Sequence, residues 1–170
     1  MSIYEATIPL FRTMLLNLSA ILDKAAAFAR ERKIEESALL SDRLAPDMFP
    51  LARQVQIACD NAKGASARLA GVEIPKHEDT EATFSELKER IAKTLAFLDT
   101  LQEGQFIGAS GRRIELPYVK WKHLTGEDYA RRYAIPNFLF HVTVAYGILR
   151  HNGVPIGKVD FLGDLPWIDD

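Results

Sequence analysis

The residue best placed to do chemistry in this sequence is a histidine on an otherwise apolar helical face. His141 lies in AIPNFLFHVTVAYGILRHNGVPIGKVDFL, residues 134–162, beside Phe138, Val142, Ala145, Ile148 and Leu149. A neutral imidazole carries one donor and one acceptor, so burial there demands a partner for at least one ring nitrogen. The other nitrogen is then available to bind a metal, hold a ligand or move a proton, unless the ring merely orders the core through one hydrogen bond. Asn137 lies four residues earlier on the same face, and Tyr133 lies beyond the break expected at Pro136. Asp47, Gln54 and Asn61 recur every seven residues in a second helical stretch and form a polar stripe beside its apolar side. Such a stripe faces solvent unless its Gln54 end turns inward towards His141. The candidate pocket therefore has His141 and Gln54 as its main polar contacts, with Asp47, Asn137 and Tyr133 as secondary ones.

Other reactive patterns are weak. His77, His123 and His151 stand at unrelated spacings in polar or irregular surroundings, which is no zinc pattern. No Gly-x-Ser-x-Gly is present, and Cys59 sits among Val55, Ala58 and Ala62 as a small hydrophobe without a neighbouring histidine. Gly157-Lys158 lacks the glycine spacing of a phosphate loop, and the Asp169-Asp170 pair is terminal.

The elements that must position these groups are helices. Apolar residues recur at three and four over residues 2–32, with Ser2 and Glu5 forming a capping box and Pro9 as a point where the helix could kink. Residues 35–44 read as a connector with a helical turn. The second helix is expected over 46–69, opened by Pro46 and stopped by Gly71, followed by an extended linker at Ile74-Pro75. The third is capped by Thr80, with Phe84, Leu87, Ile91, Leu95 and Leu98 facing inward and Glu86, Lys88, Glu89, Arg90 and Lys93 facing water. Residues 102–124 break the helical period, and 112–118 read as a short strand or hairpin. A turn over 126–132 leads to Pro136 and a fourth helix to about residue 152, ended by Gly153. Residues 154–170 read as a docked extended tail. The expected architecture is all-α: a four-helix bundle with an irregular or short-hairpin insert before the last helix, in one domain spanning 1–170.

Composition fits this class. Of 170 residues, 48% are hydrophobic and 26% charged with a net charge of −2, which suits a globular domain and argues against a nucleic-acid partner. No stretch matches a secretory signal or a membrane span, and the lone cysteine suits a reducing compartment, so a cytoplasmic location is expected. Tyr4, Phe11, Phe138 and Phe140 exceed what one bundle seam needs, which points to a homodimer built through helix faces.

Two blocks, LAPDMFPLARQVQIACDNAKGASARLAG at 44–71 and PNFLFHVTVAYGILRHNGVPIGKVDFLG at 136–163, resemble an uncharacterised bacterial branch of the DinB/YfiT-like superfamily. The resemblance implies a four-helix bundle and a homodimer. In better-known members a histidine on the second helix and a His-x-x-x-His pair on the last helix hold a divalent metal, and some are thiol-dependent transferases. His141 matches the first histidine of that pair, Ala145 stands at the second, and no histidine occurs in 54–57. The reading is thus a small-molecule-binding protein with a degenerate metal site, no cofactor, and His141 as the sole candidate ligand should a divalent metal bind. A metal- and thiol-dependent transferase and a purely structural or interaction protein are the competing readings.

Overall fold

The computed structural model describes residues 1–168; Asp169-Asp170 and the end of the expected tail lie outside the described residues. α1, Ile3–Arg32, begins at Ser2, whose hydroxyl accepts from the Glu5 N–H while the Glu5 carboxylate accepts from the Ser2 N–H at 2.6 Å. The helix is continuous through Pro9, whose missing N–H deprives it of one internal bond, and it ends at Lys33 in the left-handed region. α2, Glu36–Ser41, is the short connector helix.

α3, Leu51–Ala70, starts five residues after the expected Pro46. Residues 45–48 instead close a turn, with the Met48 N–H donating to the Ala45 carbonyl at 3.0 Å. Pro50 then disfavours helical geometry at Phe49, so the helix can only begin beyond it. Gly71 ends α3 at φ 73°, as expected. α4, Phe84–Asp99, is capped by Thr83 and not Thr80. Glu86 stands three residues after Thr83 and completes a capping box, an option that Thr80 lacks.

The insert holds two single helical turns, Glu103–Phe106 and Ala109–Gly111. It also holds a two-residue antiparallel ladder of β1, Arg113–Ile114, with β2, Leu124–Thr125. β1 falls within the stretch expected to be extended, but its partner comes from beyond it. α5, Gly126–Asp128, a wide π-helical turn, Tyr129–Ala134, and α6, Ile135–His151, follow as one continuous path. The expected break at Pro136 is absorbed by that wide turn, since proline can neither donate to the preceding turn nor tolerate its crowding. The tail is only partly docked and not extended throughout. Val154 and Ile156 are buried, α7, Lys158–Leu162, lies on α1, and Trp167 is 83% exposed.

Around the bundle the order is α1, α4, α3, α6. Lys88 of α4 pairs with Asp23 of α1 and Asp99 with Arg12, so these helices run antiparallel. Residues 72–83 run back along α3, bringing Asp79 to Arg53 and Glu81 to Gln56. α3 and α4 are therefore parallel. Phe11 meets Phe138 edge-on at 4.8 Å, while Gly153 lies by Phe28, so α1 and α6 are also parallel. Burial is densest along these seams, where Phe11, Leu15, Leu18, Leu22, Leu51, Val55, Leu87, Phe138, Ile148 and Leu149 are buried. Among the described residues no helix is long and apolar enough to cross a membrane.

Candidate functional site

The antiparallel seam of α3 and α6 turns Gln54 inward to meet His141. Nδ1 of His141 and Oε1 of Gln54 lie 2.7 Å apart, with both residues buried. The amide orientation follows from its other end, where Gln54 Nε2 donates to the Phe49 carbonyl at 2.9 Å. With Oε1 as the group facing the ring, Nδ1 must be the donor. Nε2 therefore carries the lone pair, and among the described residues no group hydrogen-bonds to it. Burial lowers the imidazole's pKa below its usual value, and the Arg53 guanidinium pushes it the same way. The ring is neutral at pH 7, and its free nitrogen is an acceptor.

His141 forms part of the wall of an open groove of about 800 Å³ between α3, α6 and the insert. α3 contributes Arg53, Ile57, Asp60, Asn61 and Arg68; α6 and the wide turn before it contribute Asn137, Tyr133 and Tyr129; Phe49 and Tyr118 close the ends. The Tyr118 and Tyr133 hydroxyls hydrogen-bond across the groove, and Tyr133 stacks on Tyr129 with ring centres 5.6 Å apart. Burial pushes the Tyr129 phenol up, so it stays protonated and can donate.

Of the residues expected from sequence, the structure brings His141, Gln54, Asn137 and Tyr133 together. Gln54 stands behind His141 as its hydrogen-bond partner and not on the groove wall. Asp47 is not brought to the site: it is exposed in the turn before α3. Sequence reasoning missed Arg68, Tyr118 and Tyr129. Arg68 had a signal, because the seven-residue stripe 47, 54, 61 reaches 68 at its next step, in the last turn of α3.

Behind the groove a second polar cluster fastens the 72–83 crossover. Arg90, expected on the wet face of α4, is buried: Nη2 pairs with Asp60 and Asp79 at 2.9 Å each, and Nη1 reaches Glu81 at 3.0 Å and the Glu78 carbonyl at 2.9 Å. Lys63 adds a second cation to Asp60 at 3.1 Å. Asp60 thus lines the groove with its charge already neutralised.

Metal binding requires several converging ligands. Among the described residues no three His, Cys, Asp or Glu side chains form such a group. Ala145, four residues after His141, is fully buried, and the Nδ1 of His141 is taken by Gln54. These residues do not fit a three-ligand divalent site.

Residues 3–162 match the family model described as Domain of unknown function (DUF1993). No curated protein matches the chain. A crystal structure of a DinB family member protein from Shewanella denitrificans is similar to it, with 50% sequence identity over 98% of this chain and 95% of that one and a TM-score of 0.95. The matched bundle, and the groove it carries between α3 and α6, are accordingly those of a member of the DUF1993 family of DinB-like proteins.

Proposed function

We propose that the chain binds a small molecule in the α3–α6 groove, without a resident metal, through the neutral Nε2 of His141. The observation that carries this reading is the relay from the Phe49 carbonyl through the Gln54 amide to Nδ1, which fixes the tautomer and leaves an acceptor on a groove wall. A ring serving only to order the core has no need of a cavity beside its second nitrogen. Groove walls that mix apolar surface with a few convergent polar groups are the usual form of ligand sites. Binding is favoured over proton transfer in a thiol-dependent reaction, because burial and Arg53 both oppose the charged imidazolium that a general base must become. Homodimerisation, in this reading, uses the exposed Phe140 side of α6. Phe11 and Phe138, which suggested a dimer from sequence, are core residues, and Tyr4 packs on Phe106.

The test uses 4-phenylphenol, a neutral donor on an apolar body, against biphenyl, which lacks the donor. Calorimetry or ligand-observed NMR should show the phenol bound about five- to tenfold more tightly by the wild type, the worth of one neutral hydrogen bond. His141→Phe should remove that preference. Equal preference in both proteins takes His141 out of the site.

Protein purified without chelator and dialysed against metal-free buffer is expected to hold far less than one equivalent of zinc, nickel or manganese by elemental analysis. Stoichiometric metal that disappears in His141→Ala would show that the groove recruits ligands from elsewhere.

A further inference from the structure

Arg68 gives the groove a polarity that His141 alone does not. It lies in the last turn of α3, and among the described residues no carboxylate pairs with it; its Nη1 contacts only the Tyr129 hydroxyl, at 3.4 Å. The other charges of the groove are balanced, Arg53 by Asp79 and Asp60 by Arg90 together with Lys63. Arg68 is therefore the unmatched charge on the groove wall.

Its direction is set by Gly64. A glycine inside a helix costs about 1 kcal/mol relative to alanine. Here the vacant volume is used: a Cβ at position 64 would stand 2.8 Å from Nη1 of Arg68. The guanidinium lies folded back along α3 over Gly64. Residues 54 and 64 lie about 15 Å apart along the helix axis. The acceptor at His141 and the cation at Arg68 thus occupy opposite ends of one elongated groove, with Ile57 and tyrosine faces between them.

We infer that the groove takes an elongated organic anion, with its oxyanion end, a carboxylate or phosphate ester, at Arg68 and Tyr129, and a hydrogen-bond donor at its far end on Nε2 of His141. This deepens the proposed small-molecule role and rests on it. The guanidinium fork and a protonated phenol match the donors that an oxyanion needs. A cationic or wholly neutral ligand would leave Arg68 without a counter-charge in the occupied groove.

The experiment measures binding of 4′-hydroxybiphenyl-4-carboxylate, its neutral carboxamide and 4′-hydroxybiphenyl-4-yl phosphate to the full chain. The wild type should bind at least one of the two anions about tenfold or more tightly than the carboxamide, as a charge-assisted contact provides, and which anion wins separates the two oxyanion sources. Arg68→Gln should abolish that preference, weakening both anions far more than the carboxamide. Gly64→Ala, which should fold at least as stably as the wild type, is expected to displace the guanidinium and weaken anion binding while sparing the carboxamide. Equal affinity for all three probes, with His141 dependence retained, overturns the anion inference and leaves the binding role standing. Anion preference that survives in both variants also overturns it, and failure of every probe to bind overturns both.

Discussion

Arg90→Leu is expected to destabilise the protein by about 3 kcal/mol, the lower end of the ~3–5 kcal/mol typical of breaking one side of a buried ion-pair network. The Arg90 side chain is 1% exposed and joins Asp60, Asp79, Glu81 and the Glu78 carbonyl, which belong to α3 and the crossover. Leucine fills much of the space but leaves these acceptors without their shared cation. Asp60 and Asp79 remain 37% and 40% exposed, so water recovers part of their solvation and places the cost at the low end. Denaturant unfolding measures it, and a loss under about 1 kcal/mol would show that the cluster contributes little. Acid dependence supplies an independent check. Burial opposes ionisation of Glu81, but hydrogen bonds from its own backbone, Arg90 and Gln56 outweigh this and hold its carboxyl below the usual 4.5. A carboxyl lowered in the folded state stabilises fully above its unfolded pKa, and that contribution is lost as pH falls below about 4.5 towards the folded value. The Arg90→Leu protein should lose less stability over that acid interval than the wild type.

The sequence made the long helices legible because their signals are local. Ser2 and Glu5 cap α1 within one turn, Gly71 supplies its own left-handed stop, and three- and four-residue spacing identifies Phe11, Leu15, Leu18 and Leu22 as core. What eluded it depended on segments distant in the chain. Arg90 follows the period of a solvated face, and only the return of residues 72–83 along α3 covers it. Phe11 and Phe138 looked surplus to one seam because their edge-on pairing joins the first and last helices. At the start of α3 the local chemistry offered two prolines, and the turn closed by Met48 and Ala45 selected the later. In the groove, periodicity brought Gln54 to His141 but placed Asp47 with them, since it assumed a helix already running at residue 47. The same stripe followed forwards would have reached Arg68. Tyr118 carried no comparable signal, because its place depends on how an irregular insert docks.

That docking is tested at one glycine, where alanine is expected to cost about 3 kcal/mol, the upper part of the usual range for overpacking. A Cβ at Gly126 would stand 1.8 Å from the Ala109 carbonyl oxygen and 2.9 Å from its carbon, with Leu69 at 3.4 Å. Both sides of the clash are backbone: the first residue of α5, fixed by the Thr125 cap, and the buried Ala109 that opens the helical turn Ala109–Gly111. No side-chain rotation relieves it, so either the start of α5 shifts or the insert lifts away. Chemical denaturation of Gly126→Ala reads the first outcome as a lowered midpoint. The second loosens the already exposed chain around Lys120 and Lys122, so that trypsin cuts there faster than in the wild type, and withdraws Tyr118 from Tyr133, opening one end of the groove and weakening binding of 4-phenylphenol. A variant with unchanged midpoint, unchanged cleavage and unchanged binding would mean that the insert does not rest on α5 and that Tyr118 is no part of the groove wall.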